Sequence, residues 1–212
     1  MQQATVQLGK IGIQAIINTM GVSVSAAFAV VNRIDDFAYT PEQNIAHAMT
    51  ALMAQNKGAG KTGRMKEGFR SGIILEIIYG ILIFIICFAL ARPLMMMFVK
   101  DEEVIGHGVT YLHLISVMYL LPALTNGIQG FFRGIGDLKI TLISSFINMA
   151  LRVLAAAPLV LIWKMGIEAL PYSYLAGWIG MLVAETPLLL KTYRPGERKE
   201  KHHVRRKTIK RI

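Results

Sequence analysis

Residues 73–91 read Ile73-Ile-Leu-Glu-Ile-Ile-Tyr-Gly-Ile-Leu-Ile-Phe-Ile-Ile-Cys-Phe-Ala-Leu-Ala91, with Glu76 as the one charged side chain. A helix rises about 1.5 Å per residue and the hydrocarbon core of a bilayer is ~30 Å thick, so roughly 20 mainly apolar residues cross it. Two more stretches have the same character. Residues 11–32 carry no Asp, Glu, Lys or Arg, and residues 140–163 carry only Arg152. A core helix of a water-soluble domain is usually shorter and keeps a polar face. Across the 212 residues, 54% are hydrophobic and 17% charged, against about 25% charged in an ordinary soluble domain. The fold class expected is an all-α integral membrane protein.

Working outward from that stretch, six transmembrane helices are expected over residues 7–33, 41–58, 71–98, 104–127, 138–163 and 166–190, followed by a basic tail over 191–212. The apolar run after Lys10 is too long for the apolar core of a signal peptide, so it reads as membrane helix. The polar stretch Asn32-Arg33-Ile34-Asp35-Asp36 reads as the end of the first helix. Pro41 reads as the first turn of the second, where its missing N–H costs nothing. That second helix carries Gln43, Asn44, His47, Thr50 and Gln55. Polar groups are costly against lipid, so it is expected to face protein or an aqueous cavity.

The positive charge is concentrated at alternate joints. Segment 57–70, the turn at 131–139 and the tail hold seventeen Lys and Arg residues, while the intervening links hold three. Basic joints beside membrane helices lie on the cytoplasmic side and touch anionic lipid. The expectation is a multi-pass protein of the inner (plasma) membrane with both chain ends in the cytoplasm. The same placement argues against nucleic acid as a partner, despite the formal charge of +10. The lone cysteine, Cys87, lies in an apolar run, which excludes an internal disulfide and gives no reason to expect a catalytic thiol.

Three ionisable residues fall within spans. A charge at mid-helix costs ~2.5–3.5 kcal/mol on insertion scales, so it either faces a bundle interior or reaches the interface. Arg152, near the middle of its helix, favours a buried or cavity role. Glu76 and Glu185, nearer helix ends, favour an interfacial one. Gln14 and Asn18 are one helical turn apart, as are Asn126 and Gln129, so each pair shares a face. Such amides serve equally as interhelical hydrogen bonds or as a lining for cationic or zwitterionic molecules. Tyr79, Tyr111 and Tyr119 could attract organic cations through their rings, although packing explains them too. The candidate substrate-pathway residues are Gln14, Asn18, Gln55, Glu76, Tyr119, Asn126, Gln129, Asn148 and Arg152. No enzyme is expected: Arg133-Gly-Ile-Gly-Asp137 lacks the Gly-Lys-Ser/Thr ending of a phosphate loop, and no nucleophile–base set or metal-ligand cluster stands out.

Several elements resemble the MATE (multidrug and toxic compound extrusion) family. They are Gly21-Val-Ser-Val-Ser-Ala-Ala-Phe-Ala29, Asn32-Arg-Ile-Asp35 with Pro41, Gln55-Asn-Lys-Gly-Ala-Gly-Lys61 with Arg64, and Gly130-Phe-Phe-Arg-Gly-Ile-Gly-Asp137. The third is similar to the family's Gln-Asn-x-Gly-Ala-Gly signature at a cytoplasmic helix end and is the most specific. The resemblance covers nearly the whole chain and implies the C-terminal six-helix lobe of a two-lobe transporter. Cationic or amphipathic drugs would occupy the cleft between lobes, and inward Na⁺ or H⁺ flow would drive export. It further implies a second lobe, fused or separate, as partner. Some relatives carry cation-binding carboxylates on the first and fourth helices of this lobe. Here the first helix has none before Asp35, and the stretch from Tyr119 to Pro122 is apolar apart from the phenol. The coupling ion is therefore expected in the absent half, with no other cofactor and no resident metal. Two alternatives stand beside efflux: flipping of lipid-linked substrates, which would favour a strongly basic cavity, and a non-transporting scaffold or partner subunit.

Membrane residence has a direct check. After an alkaline carbonate wash of cell membranes the chain is expected in the pellet and released only by detergent; a monodisperse chain in plain buffer contradicts it.

Overall fold

The computed structural model describes residues 2–193, and these form helices joined by short turns, with no strand among them. Eight helical segments follow one another: α1 (Gln2–Asn18), α2 (Val22–Gly58), α3 (Thr62–Ala89), α4 (Ala91–Met96), α5 (Glu102–Ser116), α6 (Leu120–Gly134), α7 (Leu138–Leu161) and α8 (Ala169–Tyr193). Helices α3, α7 and α8 are each long and apolar enough to cross a bilayer, and α5 with α6 passes the same test as one rod bent by 53°. With α4 continuing α3, the eight segments make six rods. Helix α3 explains its own composition. Only 17% of its most apolar stretch is buried, and Ile74, Leu75, Ile78, Ile81, Leu82 and Ile85 all point outward. Such a surface is stable only against lipid.

The first two expected helices, 7–33 and 41–58, are divided differently. The chain breaks at Thr19-Met20-Gly21, where Gly21 takes φ +102°, a conformation that a side chain resists. From Val22 onward it runs as one helix of 37 residues through the polar stretch and through Pro41 to Gly58. Pro41 is therefore an interior residue and starts no new helix. The missing N–H removes one bond to the Phe37 carbonyl, and Phe37 is exposed. The neighbouring Ala38 carbonyl accepts a bond from Tyr79 Oη of α3 at 3.1 Å. Asn32 to Asp36 remain helical because Asp35 has a partner inside the bundle, described below. The joint expected at 33–42 thus moves to residues 19–21. At about 1.5 Å per residue α2 is ~55 Å long, more than the hydrocarbon thickness, so part of it must tilt or project.

Prolines account for the other divisions. The expected helix 71–98 begins earlier, at Thr62, and breaks at Leu90, three residues before Pro93. The expected helix 104–127 bends at residues 117–119, just ahead of Pro122, then continues to Gly134. In each case the proline ring meets the carbonyl four residues back. The last two helices run over 138–161 and 169–193 where 138–163 and 166–190 were expected. Beyond Tyr193 the expected basic tail lies outside the described residues.

Helix α2 is central: it packs on α3, α5 and α6, while α7 lies between α1 and α8. Its seam with α6 is the closest. A Cβ on Gly130 would stand 2.7 Å from the Ala46 carbonyl oxygen, and one on Gly134 would stand 2.6 Å from that of Thr50. Gly130 and Gly134 are four apart, the small-xxx-small spacing that lets membrane helices touch backbone to backbone. Thr50 Oγ1 adds a bond to the Gly130 carbonyl at 3.2 Å. At the same end, Lys57 Nζ donates to the Ile135 carbonyl. The two glycine-rich elements at 55–61 and 130–137 therefore cap one packed seam.

Gly130→Val is expected to lower the Tm of detergent-purified chain, overpacking costing about 1–3 kcal/mol. Gly106→Ala, on α5 with open space around the added methyl, is expected to raise stability by about 0.5–1 kcal/mol.

Candidate functional site

A cavity of about 530 Å³ opens between α1, α2, α6, α7 and α8. Its walls divide by chemistry. Helix α2 brings Asn32, Asp35, Asp36, Tyr39 and Gln43. Helix α6 brings Thr125, Asn126 and Gln129. Helix α7 brings Ser145, Asn148 and Arg152, and α8 brings Tyr174 and Trp178; Lys10 and Gln14 close the α1 side. The polar stretch of α2 that sequence reading assigned to an external link is thus a wall of the cavity.

Of the nine expected pathway residues, Gln14, Asn126, Gln129, Asn148 and Arg152 meet at this cavity. Gln14 Nε2 donates to Asn18 Oδ1 at 3.0 Å, so Asn18 fixes the amide beside the cavity without lining it. Gln129 Nε2 lies 3.4 Å from Ser145 Oγ, and Asn148 Nδ2 lies 3.6 Å from Met181 Sδ. Gln55 is exposed near the end of α2, away from the cavity. Tyr119 and Glu76 are fully buried behind the wall instead of lining it. The interfacial reading of Glu76 and Glu185 does not hold: both are fully buried. Glu76 faces the α2 carboxylate Glu42, and Glu185 sits beside Gln129, Ser144 and Arg133.

Behind α2, polar contacts run between helices. Tyr119 Oη, at the α5–α6 bend, donates to Asp35 Oδ1 at 2.5 Å, and both residues are buried. Asn126 Nδ2 donates to Glu42 Oε2 at 3.4 Å. Rings link the same region: Tyr39 stands edge-on to Tyr119 with centroids 5.5 Å apart, and 6.5 Å from Trp178. The cavity residues Asp35, Tyr39, Tyr174 and Trp178 are missing from the expected set, as is Glu42, buried behind the wall. The signal was present as i, i+4 and i, i+7 spacing of Asp35, Tyr39 and Glu42, which places them on one face only if residues 33–42 are helical.

Arg152 occupies the far wall. Its guanidinium carbon lies 3.4 Å from the Tyr174 ring centroid and 5.4 Å from that of Trp178. Gly177 lies between these two in sequence. A Cβ there would meet Arg152 Cγ at 2.6 Å and the Asn148 carbonyl oxygen at 2.9 Å, so the arginine stem lies against bare backbone of α8. The cavity therefore offers amide donors and acceptors, aromatic faces, carboxylates on α2 and a guanidinium on α7. That set suits reversible binding of amphipathic molecules. Tyr119→Phe is expected to cost about 1–3 kcal/mol by leaving a buried carboxylate oxygen without its donor, read as a lower Tm in detergent.

The sequence model of the MatE family matches residues 1–157. The chain is 28% identical over 191 residues to the Bacillus subtilis (strain 168) protein described as "Probable multidrug resistance protein YoeA", covering 89% of this chain and 39% of that one. It is 24% identical over 163 residues to the Thermotoga maritima protein described as "Probable multidrug resistance protein NorM", covering 76% of this chain and 34% of that one. Among solved structures, the outward-facing conformation of a multidrug resistance MATE family transporter of the MOP superfamily superposes with a TM-score of 0.81 at 14% identity, over 89% of this chain and 41% of that one. A crystal structure of MATE in the bent conformation superposes with a TM-score of 0.83 at 14% identity, over 89% and 42%. The chain spans between about a third and two-fifths of the length of these relatives. The family match over most of the chain, on a fold of lipid-facing helices around a polar cavity, makes this an integral membrane protein that belongs to the MatE family.

Proposed function

We propose that the chain supplies one lobe, the C-terminal one, of a cation-coupled multidrug efflux transporter. The observation that carries the reading is the cavity on the α1–α2–α6–α7–α8 face, whose amides and aromatic rings suit amphipathic organic molecules. Family membership, and relatives described as multidrug resistance proteins, support export as the direction of its use. Because the chain spans between about a third and two-fifths of those relatives, the transport cycle needs a second six-helix lobe facing this cavity. Alternating access then follows from two lobes rocking about a site near the bilayer midplane. The protein works as a carrier and makes or breaks no bond. Drive comes from Na⁺ or H⁺ flow, since one charge crossing 100 mV supplies ~2.3 kcal/mol. We place the coupling cation in the second lobe, and the chain in the inner membrane with both ends cytoplasmic, the basic joints lying inside.

Proteoliposomes test the reading. The chain alone, under an imposed Na⁺ or H⁺ gradient, is expected to give no gradient-dependent movement of an amphipathic fluorescent dye, whether cationic or anionic. Joined to a six-helix N-terminal half, it is expected to move the dye against its gradient. Coupled movement by the chain alone overturns the half-transporter reading; none from the joined protein overturns efflux.

A further inference from the structure

The aromatic corner of the cavity already contains a cation. Tyr174 and Trp178 project from α8 on either side of Gly177, and their ring faces carry the negative lobe of the π quadrupole. An empty corner of this kind attracts an organic cation. Here the Arg152 guanidinium takes that position, 3.4 Å from one ring centroid and 5.4 Å from the other. Its stem is seated against α8 where Gly177 leaves no side chain in the way.

Arg152 is held by these rings and by no ion pair: among the described residues the salt bridges are Arg92–Glu102 and His107–Glu103, both far along the chain from it. Its Nε is buried without a hydrogen-bond partner. A guanidinium stacked through its face keeps its N–H donors in the plane of the group, directed sideways toward whatever enters. Asp35 across the cavity is close enough to feel its charge but is hydrogen-bonded to Tyr119 and makes no direct pair with it, so an arriving anionic group gains a contact partner here that a neutral one does not. An arriving cation meets like charge and finds the rings taken. Asn148, one turn earlier on α7 and on the same face, adds an amide whose one hydrogen bond among the described residues is the weak one to Met181 Sδ. The acidic side of the cavity is the opposite wall, where Asp35 is bonded to Tyr119.

We infer that Arg152 is the residue that sets charge selectivity in this cavity, and that it receives the anionic group, carboxylate or sulfonate, of an aromatic amphiphile at the Tyr174–Trp178 corner. This rests on the efflux reading for its biological use, although the binding event itself requires neither transport nor a second lobe.

The test is calorimetric titration of the full chain in detergent with benzylsulfonate and benzyltrimethylammonium, a water-soluble pair of similar shape and opposite charge. Heats into protein-free micelles are subtracted. Wild type is expected to prefer the sulfonate by about tenfold, equivalent to 1.4 kcal/mol. Arg152→Gln is expected to lose that preference and to gain affinity for the ammonium, because the rings become free. Arg152→Lys is expected to keep the sulfonate preference in weakened form, as a point charge without the planar stack. Tyr174→Leu retains the guanidinium and is expected to keep the sign of the preference. The wild-type ratio is decisive even if a variant fails to fold. Equal binding, preference for the ammonium, or binding of neither probe overturns the assignment and leaves efflux to its own transport assay. An unchanged ratio in folded Arg152→Gln overturns it as well.

Discussion

Hydrocarbon accepts no hydrogen bonds, and that constraint shapes everything else in this chain. Polar side chains on a lipid-facing helix have nowhere to go, so each must be turned inward and met by another protein group or by a cavity. Helix α2 concentrates this requirement. Asp35 reaches Tyr119 across the bundle, Glu42 reaches Asn126, and the Ala38 carbonyl accepts from Tyr79. Helix α3 is the complement: from Ile73 onward Glu76 is its one charged residue, and its outer surface faces lipid. The architecture is one polar spine surrounded by apolar helices.

Packing around the spine uses small residues where backbones must meet. Lipid tails are as apolar as leucine, so helices in a bilayer associate through close contact and interhelical bonds. The Gly130–Gly134 face of α6 brings that helix against the Ala46 and Thr50 carbonyls of α2, and Thr50 Oγ1 bridges the two. Gly177 plays the same part between α8 and α7, with a different consequence. The space it leaves is filled by the stem of a charged residue, and the seam between two helices becomes part of the cavity wall.

The cavity inherits its polarity from this arrangement. Its α2 side is acidic and amide-rich, while its α7–α8 corner is aromatic and holds the guanidinium of Arg152. The two walls therefore differ in charge, and the rings of the α7–α8 corner are already covered by the guanidinium.

Membrane residence, helical class and family resemblance were all legible in the order of residues. A nineteen-residue apolar run such as 73–91 has one stable setting, and Gln55-Asn-Lys-Gly-Ala-Gly60 is distinctive by itself. The amides at Gln14, Asn126, Gln129 and Asn148, and the charge at Arg152, were identifiable as groups that lipid would not tolerate. What local pattern could not decide was the fate of residues 33–42. Read alone, two aspartates, an arginine and a proline terminate a helix; inside the bundle Asp35 is met by Tyr119, 84 residues away, and the helix continues. Burial of Glu76 and Glu185 was hidden for the same reason, because depth in a bundle depends on neighbours and not on distance from a helix end. The sequence by itself therefore determined the solvent and the inventory of polar groups. Tertiary structure alone decided which of them meet a partner, as Asp35 meets Tyr119, and which lie buried without a hydrogen bond among the described residues, as the Glu76 carboxylate does, since both depend on neighbours that folding brings from elsewhere in the chain.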